Sequence, residues 1–239
     1  MTQAVVVLPV YQPGERLVEL VAHLRTAAPH MPVVVVDDGS DANSAQLLRR
    51  VSDLGCALRR LDRNRGKGSA LKEGYRYVLR AHPGKDVVCA DADGQHRASD
   101  ILRLAERVRA TRAVVLGVRR FDGDVPLRSR IGNAVTRVLF KASTGVAASD
   151  TQTGLRAYPH EMVRWLLTVP GERFDYEMAV LVAAARNRCP IEQVTVPTRY
   201  LDGNASSHFG ALVDSVRTCR PLLMPAEIPR HDAPCADNH

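Results

Sequence analysis

Two carboxylates stand two residues apart at the end of an apolar run, and this spacing suits metal chemistry. Residues 87–90 are apolar and partly β-branched, as in a strand covered on both faces, and Asp91 and Asp93 follow directly. Ligands of open α/β sheets bind beyond the carboxyl ends of the strands. Such a pair, joined by the amide of Gln95 or the imidazole of His96, suits Mg²⁺ or Mn²⁺, which usually also holds substrate phosphates. The pattern predicts a metal–diphosphate site, and a polar Asp-Gly turn is the alternative.

Two further polar segments follow predicted strands. The strand over residues 33–36 ends in Asp37-Asp38-Gly39-Ser40, so acid again stands at a carboxyl end. The segment over residues 64–70 places Lys67 between two glycines and opens a helix, where backbone N–H groups and an ammonium could meet phosphate. Its spacing fits neither the P-loop nor the dinucleotide fingerprint, and a tight strand-to-helix turn explains it equally well.

Arginines and a second polar stretch follow later in the chain. Arg119 comes at the end of a predicted strand over residues 113–118, on the expected ligand side. Residues 97–137 contain ten arginines against four acids, a basic surface that could meet phosphates, nucleic acid or an anionic membrane. Residues 150–156 combine an acid, an amide and an arginine, which is unusual for a plain linker.

The elements that position these groups alternate between strand and helix, which predicts a parallel sheet flanked by helices. The predicted strands cover residues 4–8 (ended by Pro9), 33–36, 57–61, 87–90, 113–118, 157–158 and 191–196. The predicted helices cover residues 16–28, 43–54, 69–81, 130–144, 161–167 and 210–223, one from Ser99 or Asp100 to about 111, and one beginning near Phe174. Residues 121–128 are predicted to be a loop.

Length and composition fit one large α/β domain over residues 1–220 and a proline-rich, disordered tail over residues 221–239. The chain has 239 residues and a formal net charge of +7. Its five cysteines are scattered without a C-x-x-C pair, which argues against a zinc site or disulfide framework and fits a reducing cytoplasm. We expect no signal peptide and no membrane span, because no apolar run approaches the ~20 residues that a span needs.

Six motifs now stand in one order along the chain. They are Leu8-Pro9-Val10-Tyr11, Asp37-Asp38-Gly39-Ser40, Asn64-Arg65-Gly66-Lys67-Gly68, Asp91-Ala92-Asp93-Gly94-Gln95, Asp150-Thr151-Gln152-Thr153-Gly154-Leu155-Arg156 and Phe174-Asp175-Tyr176-Glu177. In these motifs the chain resembles family 2 glycosyltransferases of the GT-A fold, an α/β fold with a mostly parallel central sheet. It most resembles the branch that makes dolichyl- or polyprenyl-phosphate mannose or glucose. The resemblance extends over about residues 4–223.

The resemblance implies an inverting, metal-dependent transfer of one sugar from a nucleotide sugar of the GDP-mannose or UDP-glucose type. It assigns Asp91, Asp93 and Gln95 to Mg²⁺ or Mn²⁺ and its diphosphate, and Asp38 to the base or ribose. The residues that it assigns to substrate binding are Pro9, Tyr11, Glu15, Val36, Asp38, Lys67, Asp91, Ala92, Asp93, Arg119, Arg130 and Gln152. The first loop departs from the family's Tyr-Asn-Glu, so Glu15 replaces the usual glutamate only after a small insertion.

Two kinds of acceptor are compatible with this resemblance. A phosphate monoester is already anionic near neutral pH, so it needs positioning by Arg119 and Arg130 more than it needs a base. A neutral hydroxyl needs a carboxylate to take its proton, and Asp150 is then the candidate, followed by Asp175. The basic segment favours a polyprenyl phosphate reached from the membrane surface. We therefore expect a cytoplasmic protein, at the inner face of the membrane, with peripheral membrane contact and no nucleic-acid partner.

Three other readings compete with this one. A non-catalytic basic module for nucleic acid or membrane would leave the acidic strand ends unexplained. A sugar nucleotidyltransferase has a glycine-rich loop directly after its first strand, where this chain has Pro9-Val10-Tyr11. Glycosyl transfer to a soluble hydroxyl keeps the donor chemistry and changes only the acceptor.

Overall fold

A seven-stranded sheet lies at the centre of the fold. The structure is a computed structural model that describes residues 4–119, 127–197 and 221–222, and it describes no side chain of residues 127–131. The strands are β1 (Ala4–Val10), β2 (Val33–Asp37), β3 (Ala57–Arg60), β4 (Asp86–Cys89), β5 (Val114–Arg119), β6 (Arg156–Tyr158) and β7 (Ile191–Val196). Their spatial order is β3-β2-β1-β4-β6-β5-β7, and every pairing is parallel except those of β6.

Helices cover both faces of this sheet, as the strand–helix alternation predicts. They are α1 (Glu15–Ala27), α2 (Ala45–Asp53), α3 (Lys67–Ala81), α4 (Ala98–Thr111), α5 (Leu127–Thr144), α6 (Val163–Leu166) and α7 (Asp175–Arg186). Val5 and Val7 of β1 face one apolar cluster with α3, α6 and α7, whereas Val6 and Leu8 face a second cluster with α1, α2 and α4. The alternation of strand side chains thus builds two cores on one sheet.

The first strand is longer than the sequence predicts. Pro9 was expected to end it, but β1 continues through Val10, and Pro9 pairs in register with Val36. The pairing of β1 with β4 ends at Val7, and the Val10 carbonyl accepts the Asp38 N–H on the β2 side. The proline nitrogen therefore faces the side on which β4 has already ended, where a missing N–H costs no ladder hydrogen bond.

Several helix starts also differ from prediction by up to three residues, and two of these differences have a clear physical reason. The fourth helix begins at Ala98, after Arg97 in an extended conformation, and Asp100 lies in its first turn, not at its cap. A carboxylate in the first turn still stabilises the helix dipole. The fifth helix begins at Leu127, so residues 127–128 are helical where a loop was predicted. Pro126 stands just before this start in the sequence, and proline is common where helices begin.

The sixth strand has a direction that its three residues did not predict. Arg156 lies opposite Cys89 of β4 and opposite Leu116 of β5, and both pairings are antiparallel. The beginning of β6 therefore lies at the edge where β4 and β5 end. The polar stretch over residues 150–155 is placed beside the carboxyl ends of the parallel strands for this reason.

The C-terminal region is described only in part. Residues 221–222 are helical, and Leu222 is buried in the first apolar cluster, within the span predicted for the last helix. The other residues of that helix and residues 223–239 of the predicted tail lie outside the described part of the chain. Across the described residues, every helix is too short or too polar to cross a lipid bilayer.

Candidate active site

The second strand ends in a carboxylate that organises the next polar loop. Asp38 is buried, and its two oxygens accept the N–H groups of Arg65 at 2.8 Å and Gly66 at 2.7 Å. Burial raises the pKa of Asp38, although these two N–H groups oppose the shift. Gly66 has a φ of 101°, which only glycine adopts without strain, directly before α3 begins. Because each carboxylate oxygen has a second lone pair, this role is compatible with the predicted contact to a base or ribose.

Polar contacts also connect the loops after β1 and β2. The Asp37 carboxylate is buried and accepts the Ser40 N–H at 3.0 Å. The Ser40 hydroxyl in turn accepts the N–H of Gln12 at 2.8 Å. Glu15 lies at the first turn of α1 and pairs with Arg50 at 2.6 Å, with both side chains exposed. The carboxylate of Glu15 therefore points toward α2 in this structure.

Lys67 lies between two carboxylates at the start of α3. Its Nζ is 2.6 Å from Oδ1 of Asp91 and 2.7 Å from Oε2 of Glu177. Burial opposes the charge of Lys67, but the two carboxylates outweigh it and hold the pKa of the ammonium above its usual value. Glu177 belongs to α7, about a hundred residues along the chain, and had no predicted role. We call Lys67, Asp91 and Glu177 the charge trio.

Asp91 is fixed on two sides. Burial raises its pKa, but the Lys67 ammonium together with His96 and Arg119 outweighs burial and holds the pKa of Asp91 below its usual value. On the other side the carboxylate lies against Gly154, where an added Cβ would be 2.0 Å from Oδ2 of Asp91. The stretch before β6 thus contacts the first aspartate through a position that must lack a side chain.

The second aspartate has a different environment. Asp93 accepts the backbone N–H of Gln95 at 3.0 Å and its side-chain amide at 2.7 Å. Burial raises the pKa of Asp93, and the negative charge of Asp91 raises it further. His96 is buried beside this pair, and burial lowers its pKa although both aspartates oppose the shift. Metal binding by Gln95 would use its other amide atom, Oε1.

These properties fit a divalent cation at Asp91 and Asp93. Burial and the negative charge of Asp91 both raise the pKa of Asp93, and a cation between the two carboxylates would favour its charged form. Hard oxygen ligands of this type are those that Mg²⁺ and Mn²⁺ prefer. The predicted ligand set is therefore chemically consistent with the groups that the fold brings together.

Arg119 is anchored by the aspartate that was the candidate base. Its Nε and Nη2 lie 2.7 and 3.2 Å from the two oxygens of Asp150, which is fully buried. Asp150 also accepts the N–H of Gln152 at 3.1 Å. Both oxygens of Asp150 are thus engaged by the same guanidinium, which is held at the carboxyl end of β5.

A buried arginine, Arg156, holds the backbone of the polar stretch over residues 150–155 in place. Arg156 donates from Nε to the Thr153 carbonyl at 2.9 Å and from Nη2 to the Thr151 carbonyl at 3.1 Å. Its Nη1 donates to the carbonyl of Glu177. The stretch and α7 are therefore fixed to each other through one side chain. The sequence offered only a weak signal, an arginine at the start of an apolar strand, and it did not identify these partners.

The structure brings most predicted site residues to one edge of the sheet. Those that lie at or beyond the carboxyl ends of the strands, or in the stretch before β6, are Tyr11, Asp38, Lys67, Asp91, Ala92, Asp93, Gln95, Arg119, Asp150 and Gln152. Pro9 and the buried Val36 lie one layer below, inside β1 and β2. Asp175 lies in the first turn of α7, where it accepts the N–H of Arg173. The side chain of Arg130 lies outside the described residues.

A second acidic cluster lies at the other end of β4. Asp86, His160 and Glu161 bring their side-chain atoms together as metal ligands could. Arg112, however, binds all three of them, with 2.8 Å from its Nη1 to Oδ1 of Asp86. The guanidinium already supplies the positive charge there. This cluster is distant in topology from Asp91, because β4 separates them.

The comparisons with known proteins agree on one family. The family model of glycosyl transferase family 2 matches residues 5–164. The chain is 33% identical over 193 residues to the undecaprenyl-phosphate 4-deoxy-4-formamido-L-arabinose transferase of Pseudomonas paraeruginosa, covering 78% of this chain and 55% of that protein. It is 25% identical over 219 residues to the dolichyl-phosphate beta-glucosyltransferase of Saccharomyces cerevisiae, covering 80% of this chain and 63% of that protein. The chain thus spans less than two thirds of either relative.

The fold also matches a solved structure over almost its whole length. Glucosyl-3-phosphoglycerate synthase from Mycobacterium tuberculosis, solved with Mn²⁺, uridine diphosphate and phosphoglyceric acid, superimposes with a TM-score of 0.71. The match covers 97% of this chain and 80% of that chain at 18% identity. At this identity the likeness establishes the GT-A fold.

Proposed function

The chain belongs to glycosyl transferase family 2, and on that premise we propose that it transfers one sugar from a nucleotide sugar to a polyprenyl phosphate. The chain is a glycosyltransferase by family. The lipid acceptor is supported by relatives whose names specify undecaprenyl and dolichyl phosphate. The proposed reaction inverts the sugar carbon and uses Mg²⁺ or Mn²⁺.

On this proposal the donor binds over the ends of β1, β2 and β4. Asp91 and Asp93 would hold the cation, which when bound supplies Lewis-acid charge for the departing diphosphate. Asp38 keeps the loop before α3 in place, so that its backbone and the end of β2 form the nucleoside side of the pocket. Tyr11 follows the end of β1, is more than one third exposed and would contact the base.

The engagement of Asp150 by Arg119 is the observation that carries the choice of acceptor. A base for a neutral hydroxyl needs an accessible carboxylate, whereas Asp150 is fully buried and both of its oxygens face the positively charged guanidinium of Arg119. A phosphate monoester needs no base, and a guanidinium has five N–H donors, so Arg119 can contact Asp150 and a phosphate together. The arrangement therefore favours an anionic acceptor.

The exposed face of α5 supports an acceptor that lies in a membrane. Val135 and Val138 are 49% and 68% exposed, which is unusual for large apolar side chains, and Arg137 and Lys141 are exposed beside them. Apolar and basic side chains on one helix face suit contact with the headgroup region of an anionic bilayer. We call Val135, Arg137, Val138 and Lys141 the α5 surface.

A donor panel followed by matched acceptors tests this function. Thermal shift with nucleotide sugars, with and without Mn²⁺, identifies the donor. Release of nucleoside diphosphate is then measured with a polyprenyl phosphate, the corresponding polyprenol and a panel of soluble hydroxyl acceptors. We expect release with the phosphate alone, its loss in EDTA and its return with Mn²⁺. Turnover with hydroxyl acceptors and none with polyprenyl phosphate would contradict the proposal.

Asp93→Asn tests the metal assignment in the same assay. It removes one ligand charge at constant size, and we expect turnover to fall by about 100-fold or more. Asp62→Asn is the matched control, because Asp62 pairs with Arg65 on the surface and the change should leave turnover as in the wild type. An Asp93→Asn enzyme with normal turnover that still requires metal would show that the cation binds elsewhere.

A further inference from the structure

The charge trio contains one carboxylate, that of Glu177, which the proposed donor site does not require. Lys67 contacts two carboxylates of similar geometry, at 2.6 and 2.7 Å, and only one of them, Asp91, belongs to the proposed metal site. The Lys67 and Glu177 side chains are 13% and 11% exposed, so water screens their charges poorly. The Lys67 ammonium therefore interacts both with Asp91, a proposed metal ligand, and with Glu177 of α7.

The surroundings hold this arrangement in place. Arg156 donates to the Glu177 carbonyl, and its Nε lies 4.0 Å from Oε1 of the same residue. Gly154 packs against the far side of the Asp91 carboxylate. Gly154 limits where the Asp91 carboxylate can turn and Arg156 stands beside the Glu177 carboxylate, so the fold keeps both carboxylates next to Lys67.

We propose that Lys67 and Glu177 set the cation affinity of the site. The ammonium neutralises Asp91 and holds it in position before a cation arrives, which keeps cation binding weak until a donor diphosphate adds its own oxygens. Glu177 draws part of the ammonium charge away from Asp91, so that a cation can still bind. The inference rests on the proposed metal role of Asp91, and it makes Lys67 and Glu177 positioning residues that do not contact the donor.

Opposite shifts in Mn²⁺ affinity are the signature of this arrangement. Glu177→Gln keeps the size and an acceptor oxygen but removes a negative charge, so Mn²⁺ binding to the full chain should weaken about fivefold or more. Lys67→Gln removes the positive charge, so Mn²⁺ binding should strengthen about fivefold or more. Titration with Mn²⁺ alone, followed by calorimetry or by electron paramagnetic resonance, measures both without catalysis.

A matched control variant and a second measurement distinguish an effect of charge on Mn²⁺ affinity from a loss of structure. Glu192→Gln removes a similar charge from a pair with Arg107 on the outer strand β7 and should leave Mn²⁺ affinity unchanged. Uridine and guanosine diphosphate binding in EDTA should be unchanged in both trio variants. A Lys67→Gln protein that loses nucleoside diphosphate affinity in EDTA would show that the lysine binds phosphate directly, which overturns the inference.

Mn²⁺ affinity that does not weaken in Glu177→Gln, or that does not strengthen in Lys67→Gln, overturns the inference, so poor folding of one variant leaves the other decisive. Trio variants that both weaken Mn²⁺ binding, or that both leave it unchanged while the melting temperature falls, would overturn the inference, because a merely structural trio behaves in this way. Wild-type protein that binds no Mn²⁺ would overturn the proposed metal site and this inference together. Mn²⁺ binding by the wild type with no opposite shift would overturn this inference alone.

Discussion

The polar residues of the site hold one another before any substrate binds. Asp38 is fixed by two backbone N–H groups, Asp91 by Lys67, and Arg119 by Asp150. Groups fixed in this way do not need to reorient when charge develops during a reaction, and such preorganisation is a large part of catalytic power. We therefore expect the site to be sensitive to small changes of shape that leave every charge in place.

Gly154→Ala tests this sensitivity at the residue scale. The new Cβ would stand 2.0 Å from Oδ2 of Asp91, so the carboxylate must rotate away from its position beside Lys67. We expect turnover and Mn²⁺ affinity to fall about tenfold or more, as misplacement of a positioned group does. Gly132→Ala in α5 is the control, because a Cβ there meets no described atom within 4 Å. Wild-type turnover in Gly154→Ala would show that the Asp91 geometry is not critical.

The site residues divide into those that sequence predicted and those that it could not. Asp91, Asp93 and Arg119 were recognisable because each is a charged group at the end of an apolar strand. Glu177 and Arg156 were not, because their partners lie far away in the chain and only tertiary packing brings them together. The spacing of residues along the sequence predicts which of them lie at the edge of the sheet. It does not predict the distance between side chains that belong to different helices and strands.

At the scale of elements, strand direction was the main gap in prediction. The alternation of strands and helices predicted the parallel strands. The apolar residues on both faces of β1 and β2 predicted where the core lies. The strand over Arg156–Tyr158 is too short for its pattern to indicate direction, and it is the antiparallel member. Its pairing, and not its composition, delivers the stretch over residues 150–155 to the site.

The α5 surface makes a prediction about an element. Val138→Asp replaces the most exposed of its apolar side chains by a charge, so partition onto vesicles of phosphatidylcholine and phosphatidylglycerol should fall about tenfold, as loss of a buried valine implies. Binding of the wild type should also weaken with added salt. Sedimentation with the vesicles measures both.

Ser99→Asp is the control for that experiment, because it adds the same charge at an exposed position of α4. Its vesicle binding should equal that of the wild type. If Val138→Asp binds the vesicles as well as the control does, another surface makes the contact or the protein does not meet membranes.

At the scale of the whole molecule, three phenols lie in the core that covers one face of the sheet. Tyr75, Tyr158 and Tyr176 are each at most 2% exposed. Tyr75 lies 3.2 Å from the sulfur of Cys89, and the Tyr176 hydroxyl donates to the Leu166 carbonyl at 2.7 Å. Burial raises the pKa of all three above 10.0, because the interior disfavours the phenolate.

Stability should therefore fall steeply in alkali. Above about pH 10 the unfolded chain loses three phenolic protons that the folded chain retains, so the folded state binds more protons and the free energy of unfolding decreases as pH rises. Each such tyrosine contributes about 1.4 kcal/mol per pH unit in that window. Urea unfolding at a series of pH values from about 8 to about 11 measures the slope. The chain has six tyrosines, so phenolate absorbance from more than three of them before unfolding would contradict the burial of these groups.

The direction of β6 has a consequence for how such enzymes can be recombined. The chain leaves the sheet after Arg119 and returns beside the same strand, since Arg156 lies opposite Leu116 and the Gly117 N–H donates to the Leu155 carbonyl at 2.8 Å. The segment between these two points begins and ends on neighbouring strands. Its length can therefore change without shifting the register of the sheet. On the proposed function this segment carries Asp150 and the α5 surface, whereas the donor side belongs to β1, β2 and β4. Donor choice and acceptor choice then belong to two parts of one scaffold that meet where Gly154 lies against Asp91, so chimaeras joined at these two points could exchange acceptor choice provided that this contact is kept.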